Sequence, residues 1–299
     1  MSFTIATTLD EALTALAAGA RPVAGGSDLV VGARHGKAPL PDDLVAIDRI
    51  EELTFVEISG DWTRIGAGVN HHTIEHHRVL STAYSCLSDG SALVGSPSTR
   101  NVGTIGGNVM NASPAMDTGA PLVVLGAEVE LRSVRGSRRI GLAELWTGPG
   151  RTSAAPDELC VAIHIPAPAA RSNSAYLRLE YRRSMEIAVV GAAASVTIAD
   201  DGSVSAVRVA LTAVAPTIIE VTGLGGGSIA EVAAAAAAAA SEQARPISDV
   251  RASDVYRRHT VGVMARRAVE AAARRALGDT VSVPVNRDAH ITWGIGAAS

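Results

Sequence analysis

Two short stretches offer backbone where most chains offer side chains. Pro22–Leu29 reads PVAGGSDL, with two glycines and a serine between a strand-like run and a helix start. Asn101–Asn108 reads NVGTIGGN and sets Gly103, Gly106 and Gly107 around Thr104. Without a Cβ, neighbouring N–H groups can turn outward together and an oxyanion can come close to the main chain. A helix starting just after Ser27 would add its positive dipole end. The chemistry this pair suggests is the holding of a dinucleotide pyrophosphate between two backbone cradles. Neither stretch is the Gly-x-Gly-x-x-Gly fingerprint or a Gly-Lys-Ser/Thr phosphate loop, and a tight turn would use the same residues.

Other candidate chemistry is weaker. NHHTIEHH puts His72 and His76 four apart with Glu75 between them, but the His-Glu-x-x-His order of a zinc protease is absent. The stretch reads instead as a solvated helix start. Cys86 and Cys160, the two cysteines, hold neither a disulfide framework nor an iron–sulfur or zinc site and read as small buried thiols. His35 reads as a loop residue, and no Ser-His-Asp or Cys-His set can be assembled. Gly223–Ser228, GLGGGS, lacks a following lysine and reads as a hinge or surface loop. No catalytic side chain and no metal-ligand set are assigned.

Composition narrows the class. The 299 residues are 47% hydrophobic and 19% charged, with net charge −4, which speaks against nucleic acid or an anionic membrane as partner. Two Phe, three Trp and four Tyr are too few for base-stacking platforms. MSFTIATTLDEAL has the marks of no secretory signal, and AEVAAAAAAAASEQA is a helix former rather than a membrane span, so a cytoplasmic location is expected.

The elements that must position the glycine stretches alternate at first. TTLDEALTALAAG predicts a helix with Leu9, Leu13 and Leu16 on one face and Gly19 as its stop. RPV and LVAIDRI predict strands, with a helix over SDLVVGARHG between them. Around SGDW and RGS the pattern turns to antiparallel strands, with a helix near His72 and a further strand at ELCVAIHIP. After PAPAARSNS, three or four antiparallel strands with a DDGS hairpin lead into two helices. The division expected is 1–56, 57–172, 173–280 and a tail, 281–299, whose apolar residues and Trp293 suit either docking on another chain or a loose end.

AGGSDL, GSPSTRNVGTIGGNVMNASPAMDTGAPLVVLGAEVEL, RRSMEIAVVGAA and PISDVRASDVYRRHTVGVMARRA together resemble the FAD-binding subunits of molybdenum hydroxylases, over about residues 3–275. That family includes the medium subunits of bacterial carbon monoxide and xanthine dehydrogenases. The resemblance implies an α+β chain with an FAD fold of the vanillyl-alcohol-oxidase (PCMH) type in two subdomains, followed by a C-terminal antiparallel sheet with packed helices. It implies FAD in this chain, [2Fe–2S] clusters on a small partner subunit and molybdopterin on a large one, assembled as a dimer of heterotrimers. Electrons would pass from the clusters through FAD to a terminal acceptor. The alternatives are a self-sufficient FAD-dependent oxidase and a flavin-free assembly protein of the same fold.

Residue by residue, the resemblance implies that Ala24, Gly25, Gly26, Ser27, Asp28 and Leu29 wrap the FAD diphosphate with main-chain amides. Gly103, Thr104, Ile105, Gly106, Gly107 and Asn108 would embrace it from the other side. Asn111, Ser113 and Asp117 fall where relatives contact ribityl, ribose or nearby groups, and Gly68 and Asn70 are lesser candidates. Arg178 aligns with a basic position near the flavin in xanthine-oxidising relatives, although a solvated arginine on a strand reads equally well. Ile187 stands where carbon monoxide dehydrogenases carry a tyrosine over the ring, which speaks against carbon monoxide as substrate of the complex.

Overall fold

A computed structural model describes residues 2–36, 39–182 and 184–283; the expectations for Trp293 and the end of the tail lie outside the described residues. The chain forms two compact units. Among the described residues, one comprises those of 2–73, 97–113 and 126–167, and the other those of 74–96, 114–125 and 168–283. Residues 74–96 and 114–125 lie inside the expected middle segment but belong to the unit of the C-terminal sheet.

The first unit opens with β1 (Ser2–Ile5), α1 (Leu9–Ala17), β2 (Arg21–Val23), α2 (Ser27–Arg34) and β3 (Asp43–Ala46). Helix α1 starts where sequence predicts, because Thr8 and Glu11 close a capping box and Leu9, Ala12, Leu13 and Leu16 share a buried face. The three strands pair in parallel in the order β1-β3-β2. Strands β4 (Val56–Ser59) and β5 (Trp62–Gly66) precede α3 (His71–His76). With β6 (Glu128–Ser133), β7 (Gly136–Gly141) and β10 (Leu159–Pro166) they form an antiparallel sheet ordered β4-β5-β10-β6-β7. A one-turn helix α9 (Leu142–Leu145) and the hairpin of β8 (Trp146–Gly148) and β9 (Arg151–Thr152) join β7 to β10.

Val94–Asp117, too polar and glycine-rich to suggest either element, contains two short helices, α6 (Pro97–Val102) and α7 (Ile105–Asn111). Burial of Arg100, Ile105 and Val109 and a cap from Thr104 hold them, none of which is visible as periodicity.

In the second unit β11 (Ser172–Leu179), β12 (Val190–Ile198), β13 (Val204–Thr212) and β14 (Ile219–Glu220) form an antiparallel sheet in chain order. The helices α4 (Leu80–Ala83), α5 (Ser85–Leu93) and α8 (Gly119–Val124), and the longer α10 (Ile229–Gln243) and α11 (Asp254–Ala276), complete it. Strand β12 packs against both α8 and α11, and its run Gly191–Ala194 is buried throughout. Small residues on both faces permit that double covering. The expected hinge at Gly223–Ser228 is tied instead: Gly227 and Val204 exchange backbone hydrogen bonds of 2.8 and 3.0 Å, and Ser228 caps α10. No described helix is long and apolar enough to cross a membrane.

Candidate functional site

The first glycine stretch leaves β2 and turns directly into α2. Gly26 is the N-cap residue, with φ +65°, a left-handed conformation that glycine adopts at little cost, and no side chain caps this helix. The positive end of α2 thus begins at bare backbone, with Asp28 exposed in its first turn.

The second stretch is a different device. Thr104 Oγ1 accepts the Gly107 N–H at 3.1 Å and so caps α7. The Gly103 amide donates to the Thr99 carbonyl, Ile105 to Val69, Gly106 to Ala67 and Asn108 to Thr104, at 2.7 to 3.0 Å. All five of these amides have partners within the unit. Gly106 is a packing glycine: a Cβ there would lie 2.5 Å from that of Ala67. Gly107 differs, being exposed, with only Thr104 Oγ1 within 4 Å of an added Cβ.

The two stretches meet. A Cβ built on Gly25 would lie 1.8 Å from the Val102 carbonyl oxygen and 3.0 Å from the Gly103 nitrogen, so the strands of backbone touch with nothing between them. Ser27 Oγ lies 3.7 Å from where Gly103 would carry its Cβ. Residues some 75 positions apart by their numbering therefore share one surface.

Two family models cover most of the chain. One, described as the FAD binding domain in molybdopterin dehydrogenase, matches residues 1–168, and a CO dehydrogenase flavoprotein C-terminal domain matches 175–272. The chain belongs to the FAD-binding subunits of the molybdenum hydroxylases. It is 34% identical to the carbon monoxide dehydrogenase medium chain of Afipia carboxidovorans, over 88% of this chain and 92% of that one. The nicotinate dehydrogenase FAD-subunit of Eubacterium barkeri is also 34% identical, over 60% of this chain and 62% of its own length, just under two thirds. Among solved structures, CO dehydrogenase from Oligotropha carboxidovorans superposes with a TM-score of 0.87 at 30% identity, covering 92% of this chain and 98% of that one.

Behind the second glycine stretch of this subunit stands a shelf that sequence reasoning treated as secondary. Asn70 pairs with Thr104 in an isolated bridge, and its side chain donates to the Asn101 carbonyl at 3.1 Å and accepts from the Thr73 amide at 2.8 Å. The His71 amide donates to the Gly103 carbonyl at 3.0 Å. Gly68 packs on the Leu53 backbone. These residues support the stretch from beneath, and the clue was GAGVN itself, more glycine than a simple turn requires. His71 is buried, and its Nδ1 has no hydrogen-bond partner. Burial, helped by the Arg100 charge, pushes its pKa down to about 4.

At the end of α7, Asn111 is exposed and Ala112 takes φ +49° as the C-cap, with half-buried Ser113 following. On α3, His72, Glu75 and His76 bring their ligand atoms within 4.8 Å of one another, as neighbours on one helix face do.

Asp117, Arg178 and Ile187 belong to the second unit. Asp117 is 6% exposed and its two oxygens have internal partners, the Tyr176 hydroxyl at 2.9 Å and Arg178 Nη1 at 2.6 Å. Burial pushes its carboxyl up to about 6, against the pull of Arg178 and Tyr176. Each oxygen of the carboxylate thus has one partner on β11. Arg178 is far from the solvated strand arginine considered above, because Asp117 and Glu180 flank its buried guanidinium. Ile187 is 46% exposed.

Two outcomes follow from this geometry. Gly25→Ala should destabilise by about 3 kcal/mol or more, because a backbone carbonyl cannot move aside, whereas Gly32→Ala, with open space inside α2, should stabilise by about 0.5–1 kcal/mol. Denaturant unfolding of the two variants checks the contrast. His71 stays neutral in the folded chain down to pH about 4, while the unfolded chain protonates it near 6.5. The fold should therefore lose up to about 3 kcal/mol as pH falls through that window. His71→Leu should flatten the loss between pH 7 and 4.5, and an unchanged slope would show that another group governs it.

Proposed function

We propose that the touching glycine stretches hold the diphosphate of FAD and that this subunit relays electrons within a molybdenum hydroxylase. The observation that carries the reading is the Gly25–Val102 backbone contact, which brings an uncapped helix start beside Gly103. The residues fit such a group. An anion needs unhindered N–H dipoles, and α2 begins at a glycine with no capping side chain in the way.

Within that reading each residue has a part. Gly26 supplies the left-handed turn that aims the first amides of α2, and Ser27 keeps a hydroxyl beside Gly103. Thr104 and the Val69–His71 shelf fix the second stretch, so that Gly107 presents backbone rather than side chain to its surroundings. When bound, the flavin supplies the exchange between one-electron donors, [2Fe–2S] clusters on a small partner subunit, and an acceptor that takes a pair. The large partner subunit holds molybdopterin and chooses the substrate. This chain's contribution is binding and orientation, and no residue of it needs to act as general acid or base.

Gly107→Val tests the reading, because the one protein atom within 4 Å of an added Cβ is Thr104 Oγ1, at 3.0 Å, so the capping hydroxyl must shift by only a few tenths of an ångström. FAD affinity should fall by roughly 10- to 100-fold, which is about 1.4–2.7 kcal/mol, with far-UV circular dichroism and thermal unfolding of the flavin-free protein nearly unchanged. Full flavin occupancy in the purified variant would mean that the second stretch does not face the cofactor.

A further inference from the structure

The buried Arg178 makes bonds that neither the flavin nor the sheet explains. Its Nε donates to Glu180 at 3.0 Å, its Nη2 is also bonded to Glu180, and Nη1 donates to Asp117 at 2.6 Å. The same Nη1 lies 3.3 Å from two carbonyls, those of Leu93 and Glu186. Two carboxylates flank one guanidinium, so Arg178 projects no net positive field of its own. What it does have is reach: it ties β11 to the last residue of α5 and to the loop that joins β11 to β12.

That loop is held in an unfavourable shape. Met185 has φ +54°, a region an unbranched L-residue seldom enters, and its amide donates to the Gly95 carbonyl at 3.0 Å. Tyr181 anchors the loop's start by donating to the Arg251 carbonyl at 2.7 Å. Between these anchors Met185 and Ile187 are 55% and 46% exposed. A loop left to itself would relax Met185 and fold its apolar side chains inward. This one is bonded on both sides so that they stay outside.

We propose that Arg178 is a positioning residue: through the Glu186 carbonyl it pins the β11–β12 loop so that Met185 and Ile187 stand at fixed places on its outer side. The fixed loop serves the flavin only if Ile187 neighbours the cofactor, as the resemblance read from the sequence implies. The pinning itself does not depend on that reading. Lysine cannot replace arginine here. One ammonium with three donors cannot serve Asp117, Glu180 and two carbonyls in a planar fork.

Hydrogen exchange on the flavin-free full chain separates the two claims. In the wild type the Met185 amide should be protected although its side chain is exposed. R178K should raise exchange across 181–188 by about tenfold or more, and trypsin should nick the chain at Arg182, with β12 and α11 still protected. In FAD-loaded R178K, iodide should quench the flavin more readily, a change that mere loss of stability would not produce. Should R178K fail to fold, the wild-type measurement still decides. Exchange of Met185 at the rate of an unstructured peptide, or an R178K loop indistinguishable from wild type, overturns the pinning. A chain that binds no FAD overturns the flavin reading and leaves the exchange result standing.

Discussion

At Gly25 the chain passes so close to the Val102 carbonyl that a single methyl group would sit inside it. The rest of the first unit is arranged to permit this approach. The parallel strands β2 and β3 deliver the AGGS turn, and β5 with α3 supplies the shelf that carries the α6–α7 connection up to meet it. Neither side could be moved by swapping side chains, because the contact is made of main chain. A backbone contact is also hard to loosen by side-chain rotation. A surface that must recognise a multiply charged, flexible cofactor gains from such rigidity, since ordering the site on binding costs affinity.

The second unit solves a different problem with charge. Asp117 and Arg178 are buried with half-buried Glu180 beside them, an arrangement that stabilises little in itself, because desolvation offsets most of the attraction. Its value is geometric. Tyr176 reaches Asp117 because Gly191 on the neighbouring strand has no Cβ, which would otherwise lie 2.4 Å from the Tyr176 oxygen. Removing one partner would leave the others uncompensated, so the network fixes loop and sheet jointly.

Much of this was legible in the sequence. Capping residues and apolar spacing placed α1, Ser27 marked the start of α2, and the two glycine stretches declared a shared chemistry. What escaped has a physical pattern. Short helices such as α6 and α7 are held by burial and tertiary bonds, which leave no periodicity to read. Gly25 and Gly106, where a Cβ would run into neighbouring backbone, looked the same as Gly26 and Gly107, since a glycine needed for close packing is spelled the same as one that is not. The bonds of Asp117 and Arg178 to Tyr176 and Glu180 were hidden as well, because these partners meet only once β11 is folded. The division of the chain was hidden for a similar reason, as the segments 74–96 and 114–125 interrupt the first unit in sequence but not in space.

The central claim is that the joined glycine stretches recognise a diphosphate. Its most direct test is to titrate the flavin-free protein with FAD and, separately, with riboflavin, which carries the same ring without diphosphate or adenosine. FAD should bind at least about 100-fold more tightly, roughly 2.7 kcal/mol, and the excess should shrink sharply in Gly107→Val. Affinities for the two within a few-fold of each other would contradict the account and would mean that the chain grips the ring and not the diphosphate.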